Sequence, residues 1–142
     1  MKYDDASWHS GGEFPSDLPE DAGATHTGMY LAWLLLNGMV GEEFAEEMQE
    51  DLQALVRRET TPGQFLLQVS DGKFVDDLID QEANAFTEEY YAPDDAPFGD
   101  DYFEIVVGDL PSVYHVEDSW QNFDKLAPVF QQRLTHWRSA RR

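Results

Sequence analysis

The run Met29-Tyr30-Leu31-Ala32-Trp33-Leu34-Leu35-Leu36 (MYLAWLLL) is apolar on every side of a helix, and its reading decides the fold. A helix with one apolar stripe lies on a surface, whereas one that is apolar all round is enclosed. The run is far shorter than the roughly 18 residues that a membrane span requires, so the enclosure must be protein. The sequence therefore predicts a central helix over residues 24–37 with the rest of the chain wrapped around it. Thr25 is a candidate N-cap, and Gly38 is the expected left-handed stop.

Outward from this centre, a second helix is predicted over residues 42–58. Phe44, Met48, Leu52, Leu55 and Val56 recur at steps of three and four, while Glu42, Glu43, Glu46, Glu47 and Glu50 fall on the opposite side. Arg57 and Arg58 stand at the end where the helix dipole favours cations. Thr61-Pro62-Gly63-Gln64 combines a cap, a proline at the first helical position and a capping-box glutamine, and opens a short helix over 62–70 that stops at Asp71-Gly72. The apolar run 65–69 alone permits a buried strand, but the cap favours helix. A further helix over 75–91 turns Leu78, Ile79, Ala83, Phe86 and Tyr90 inward. Residues 92–99 form a loop, and 101–107 (DYFEIVV) permit either a strand or a helical turn.

The last helix starts at Asp118 or Ser119 and carries Trp120, Phe123, Leu126, Ala127, Phe130, Leu134 and Trp137 on one face. Pro128 lies inside it, where a kink or break is expected. At the other end, Gly11, Gly12, Pro15 and Pro19 make residues 1–23 an irregular extended arm, whose Tyr3, Trp8, Phe14 and Leu18 are apolar enough to lie across the core. The expected fold is mainly α: a single compact domain over residues 1–142, about five helices around a buried central helix, an N-terminal arm and at most a small β element. An amphipathic basic helix over 118–142 closes the chain.

The chain has 142 residues, 29 acids against 9 Lys and Arg, no cysteine and a formal net charge of −20. Its 42% hydrophobic content and 13% aromatics argue for a packed domain despite that charge. The charge is uneven. Through Asp124 the chain holds every acid and only four cations, a net −25, whereas from Lys125 onward it carries five cations and no acid. Such a field repels nucleic acid and anionic membrane and attracts a basic protein. The simplest use of the basic end is docking on the acidic body of the same chain. The start MKYDDASWHS lacks the basic-then-apolar form of a signal peptide, so the protein is expected to be cytoplasmic.

Catalytic signatures are missing from the sequence. The serines show no nucleophile elbow, the glycines form no phosphate loop, and no EF-hand pattern occurs. No two of His9, His26, His115 and His136 have helical ligand spacing, so no metal or cofactor is expected. The nearest cluster is His115-Val116-Glu117-Asp118, with Asp100 and Asp101 as further candidates, which could serve a metal-dependent, hydrolase-like enzyme; Asp118 as a helix cap is the plainer reading. Two surfaces remain for partner binding. One is the face formed by Glu42, Glu43, Glu46, Glu47 and Glu50, whose like charges four apart cost the helix roughly 0.2 to 0.5 kcal/mol per pair. The other is the mixture of Tyr3, Asp4, Asp5 and Trp8 in the arm, unless its aromatics only pin the terminus.

The stretches MKYDDASWHSGGEFPSDLPEDAGATHTGMYLAWLLLNG, TPGQFLLQVSDGKF and DLPSVYHVEDSWQNFDKLAP resemble an uncharacterised bacterial domain family of small acidic cytoplasmic proteins. The resemblance covers nearly the whole chain and implies no catalytic residue. Size and charge also resemble those of immunity proteins of bacterial toxin systems. Together these features predict a non-enzymatic binding protein, an immunity protein or antitoxin that blocks a basic toxin. A structural adaptor, with the basic helix pairing to a neighbouring copy, is the remaining alternative.

Overall fold

The computed structural model of the protein describes residues 1–9 and 14–141. Strand β1 (Lys2–Asp5) runs into a single helical turn, α1 (Ala6–His9). A 3-10 turn (Glu20–Ala24) leads into α2 (Thr25–Leu36), followed by α3 (Glu42–Glu47), α4 (Gln49–Val56) and α5 (Pro62–Ser70). Strand β2 (Lys73–Val75) and a 3-10 turn (Asp76–Leu78) precede α6 (Gln81–Tyr90). Helix α7 (Pro97–Tyr102) passes into one π-helical segment (Phe103–Val107), and α8 (Trp120–Ala140) ends the chain. The fold is mainly helical with one small antiparallel sheet.

Helix α2 is central as its composition requires: Met29, Tyr30, Leu31, Ala32 and Leu34 are fully buried, and Leu36 at the end is exposed. Each such apolar side chain contributes roughly 1.5 to 3 kcal/mol, so packing rather than helix propensity holds this element. Tyr30 is the hub, stacked on Tyr91 at 4.9 Å and edge-on to Phe130 at 5.7 Å, with its hydroxyl bonded to Thr87 at 2.9 Å. Gly38 stops the helix at φ +77°. Thr25 is not the cap. It is buried inside the first turn, because the chain enters α2 directly from the 3-10 turn with Ala24 already helical.

Among the described residues eight α-helices replace the expected five, and the difference has local causes. Besides the short turns α1 and α7, the predicted 42–58 helix is interrupted at Met48 (φ −114°, ψ 35°), with Phe44 and Leu55 buried on either side of the interruption. The predicted 75–91 helix begins only at Gln81, where the Asp80 carboxylate accepts from Ala83 N at 2.9 Å. Of its first residues, Val75 ends β2 and Asp76–Leu78 form the 3-10 turn, while Phe74, in the middle of β2, is fully buried. The arm is not irregular at its start, since β1 pairs antiparallel with β2 (Lys2 opposite Val75, Asp5 opposite Lys73). Gly11 and Gly12, expected to break the arm, lie outside the described residues. Residues 101–107 are helical, and α8 continues through Pro128, which is exposed, so the Asp124 carbonyl that it leaves without a donor can turn to water.

Helix α5 packs closest to the centre. A Cβ on Gly28 of α2 would lie 2.5 Å from the Pro62 carbonyl oxygen, so only glycine permits this approach. Thr61 caps α5, Pro62 stands at its first turn, and Asp71 (φ 52°) with Gly72 (φ 78°) ends it. Helix α8 buries Phe123, Leu126, Phe130 and Leu134 and lays its cations on acids of α6 and α7. Arg133 makes two bonds to Asp101, at 2.8 and 2.9 Å, Arg138 pairs with Glu82, and Arg141 lies 3.8 Å from Glu89.

Candidate functional site

All five glutamates of the predicted face, Glu42, Glu43, Glu46, Glu47 and Glu50, are exposed, and among the described residues none has a cation within ion-pair distance. They are shared between α3 and α4 rather than carried by one helix. Glu42 and Glu43 also border a groove of 730 Å³ whose walls include Asp76, Asp77, Asp80 and Glu88. The 3-10 turn after β2 supplies the first two of these acids and the cap of α6 the third. Chain regions that are separate in sequence thus make one acid-lined depression.

The arm residues divide. Trp8 is exposed, with the Lys2 ammonium 4.9 Å from its ring centre. Tyr3 is half-buried against Phe74, and its hydroxyl donates to Asn84 Oδ1 at 2.6 Å. Asp4 and Asp5, expected on an epitope, are buried instead: Asp4 faces Thr27, Tyr91 and His26 inside the fold, whereas Asp5 is covered by Lys2 and Ser7. The Lys2 ammonium donates to Asp5 at 2.8 Å, and this bond, with those from Ser7, outweighs burial and brings the Asp5 carboxyl down to about 2.

Asp4 is the centre of a polar cluster. Its Oδ1 accepts from Asp5 N at 2.8 Å and from His9 Nε2 at 2.7 Å. Its Oδ2 accepts from Tyr91 OH at 2.6 Å and Thr27 Oγ1 at 3.1 Å, and His26 Nε2 lies 3.5 Å away. Burial alone would raise this carboxyl, but the bonds from His26, His9 and Tyr91 together with the field of His26 hold it well below the usual carboxylate range. The same burial and the Asp4 charge push the Tyr91 hydroxyl up. His9 Nδ1 meets Tyr114 OH at 2.9 Å. Asp4, His9 and His26 each offer one ligand atom, and these atoms lie within 4.8 Å of one another, a set that could hold a metal ion. Beside them is a cavity of 190 Å³ walled by His26, Tyr91, Phe98 and Tyr102, and the buried His26 Nδ1 and Tyr102 OH have no hydrogen-bond partner.

Sequence reasoning missed this cluster because its members are far apart along the chain. One signal existed. Thr25-His26-Thr27 is a polar triplet at the head of a helix that is otherwise apolar all round, and polar groups buried there need polar partners.

The residues around His115, the alternative metal-dependent site, are dispersed. His115 Nε2 faces Asp17 at 3.0 Å and its Nδ1 meets Ser112 Oγ at 2.8 Å. Asp101 is held by Arg133 and by Tyr90 OH at 2.7 Å, and Asp100 is exposed. Asp118 accepts from Thr61 Oγ1 at 2.5 Å, Gly63 N at 2.8 Å and Gln64 N at 3.2 Å, which makes it a second cap on α5.

Among the described residues no helix is long and apolar enough to cross a membrane. Comparison with curated proteins and with solved structures finds no match. A family profile described as a domain of unknown function, DUF7832, matches residues 2–116, which span β1 through the segment that carries Tyr114. The chain belongs to that family.

Proposed function

We propose that the protein is a non-enzymatic binding protein that captures a basic protein partner through its acidic surface, most concretely an immunity protein or antitoxin that occludes a basic toxin. The observation that carries this reading is the exposed set Glu42, Glu43, Glu46, Glu47 and Glu50, without a cation partner among the described residues and continuous at Glu42 and Glu43 with the acid-lined groove. Like charges held together at a cost to the fold favour a partner of opposite sign and accelerate its approach. The same field disfavours nucleic acid and anionic membranes. Trp8, exposed beside this acidic body, offers a rigid aromatic contact. On this reading the protein acts in the bacterial cytoplasm, where a cell that makes a toxin needs protection.

The test is capture from extract of the native cell at low and high salt, in parallel for the wild-type chain and a chain with all five glutamates changed to glutamine. A basic protein retained at low salt by the wild type, released by salt and lost in the variant is the expected result. An identical set of proteins on both chains refutes the reading.

A further inference from the structure

We propose that Asp4, His9 and His26 form a binding site for one divalent transition-metal ion of the zinc class, which ties β1 and α1 to the head of α2. The donor set is two imidazoles and one carboxylate on three different elements, and their ligand atoms lie within 4.8 Å of one another. In tetrahedral zinc sites with bonds of about 2.1 Å, neighbouring ligand atoms stand about 3.4 Å apart. Asp4 Oδ2 lies 3.5 Å from His26 Nε2, which already matches, and Asp4 Oδ1 lies 2.7 Å from His9 Nε2, so the carboxylate now gives one oxygen to each ring and an ion requires both an opening of under about 1 Å and a turn of the carboxylate or its bidentate use. His9 sits next to the arm and a fifth of its side chain is exposed, so its ring can make that adjustment.

Two features of the cluster favour an ion over a plain hydrogen-bond network. First, hydrogen bonds from Asp5 N, His9, Thr27 and Tyr91 already fill the roughly four acceptor sites of the Asp4 carboxylate, and His26 Nε2, 3.5 Å away, is a fifth group aimed at it. An ion between Asp4 and the two Nε2 atoms replaces the His9 bond, gives His26 a partner and leaves three hydrogen bonds, which the carboxylate can hold. Second, His26 Nδ1 is buried without a partner and belongs to the wall of the cavity. When Nε2 binds an ion, Nδ1 carries the proton, and the 190 Å³ cavity that His26 borders has room for water, a water occupying about 30 Å³. Water in the same cavity can complete the coordination shell.

The surroundings are those of a supported ligand set. Tyr91 and Thr27 orient the carboxylate, and Tyr114 OH, able to donate or accept, faces His9 Nδ1 and allows either tautomer of that ring. The mixture of nitrogen and oxygen donors suits zinc, cobalt or ferrous iron. Magnesium and calcium call for oxygen ligands, and no thiolate is present for cuprous copper.

The test is calorimetric titration of the full chain with zinc, and separately with magnesium, together with the visible absorption of the cobalt-loaded protein. The variants are H9Q and H26Q, with H115Q as a control because His115 pairs elsewhere with Asp17. Circular dichroism establishes that each is folded, and H9Q, at a partly exposed ring, is the variant that keeps the test open if H26Q fails to fold. The expected result is one zinc per chain, a tetrahedral cobalt spectrum, a loss of affinity of at least about tenfold in H9Q, and no change in H115Q. Zinc uptake that does not saturate near one equivalent, or one equivalent that H9Q leaves unchanged, overturns the proposal, and the latter result assigns the ion to surface carboxylates. Neither outcome bears on capture of a basic partner.

Discussion

Asp118 tests whether the carboxylate beside His115 belongs to chemistry or to architecture. Replacing it with alanine removes three accepted bonds at the N-terminus of α5, from Thr61 Oγ1, Gly63 N and Gln64 N. These are not equal. Gln64 is exposed and its N–H still reaches Thr61 Oγ1 at 3.4 Å, so water and the local cap recover most of that bond. Gly63 N–H is buried and retains no acceptor, and an unsatisfied buried donor costs about 1 to 3 kcal/mol. Loss of a negative charge near the positive end of the helix dipole adds about 0.3 to 1 kcal/mol. The sum is about 1 to 4 kcal/mol, read from the urea midpoint at constant slope. Asp118→Asn, which keeps an acceptor oxygen but no charge, should lose about half as much. A change below about 0.5 kcal/mol in Asp118→Ala, the figure for an ordinary surface acid, would refute the assignment of Asp118 as a cap.

Three further substitutions have signs that the structure fixes. Gly28→Ala should destabilise by about 1 to 3 kcal/mol despite the better helix propensity of alanine, because its Cβ would meet the Pro62 carbonyl oxygen at 2.5 Å; a rise in the thermal midpoint would contradict that close approach. Arg133→Met should destabilise by about 1 to 3 kcal/mol by leaving the buried Asp101 with only the Tyr90 hydroxyl, while an equal change in the double variant with Asp101→Asn would show that no coupling exists. Asp5 gives a pH dependence. Its folded carboxyl is depressed to about 2, so its contribution is complete above the unfolded value near 4 and falls away as pH drops from about 4 to 2. Asp5→Asn should flatten the acid side of the stability curve in that window, and a curve as steep as the wild type's would remove Asp5 as a source.

The central helix was legible because its signal is one of composition: no arrangement of MYLAWLLL leaves a wet face, and Met29 through Leu35 are buried as that requires. The start and stop of α5 were legible for a different reason, since Thr61, Pro62, Asp71 and Gly72 each carry a backbone preference that acts locally. Where the reading failed, the deciding contact was distant. Lys73–Val75 became a strand because Lys2–Asp5 offered it an edge, and that pairing across some seventy residues leaves no trace in helical periodicity. The same applies to the polar cluster. The sequence pattern places Asp4 in an exposed arm epitope with Tyr3, Asp5 and Trp8, and what gives it another role is burial against Thr27, Tyr91 and His26, a property of the fold and not of the residue. The exposed glutamates could be identified in advance because a solvated face needs no distant partner to define it.

The placement of the cations explains why that face keeps its field. Arg133 and Arg138 of α8 and Arg141 just after it meet Asp101, Glu82 and Glu89, so among the described residues the basic end of the chain offsets acids of α6 and α7. Arg58 is turned to Asp124 and Trp120, and Lys73 to Asp71. None of these reaches Glu42, Glu43, Glu46, Glu47 or Glu50, and the groove beside them adds Asp77 and Glu88. A chain that only needed solubility could spread its negative charge evenly and lower its self-repulsion. Here the ion pairs of the described residues lie on other acids, among them the Met1 ammonium on Asp76 in the groove, while the five glutamates have none, and α3 is the weaker for like charges a turn apart. An adaptor built on α8 meeting the acids of a second copy would first have to break Arg133 from Asp101, a buried carboxylate whose other side-chain partner is the Tyr90 hydroxyl. A basic partner arriving at α3 has no such bond to break, and it relieves a repulsion that the folded chain leaves in place.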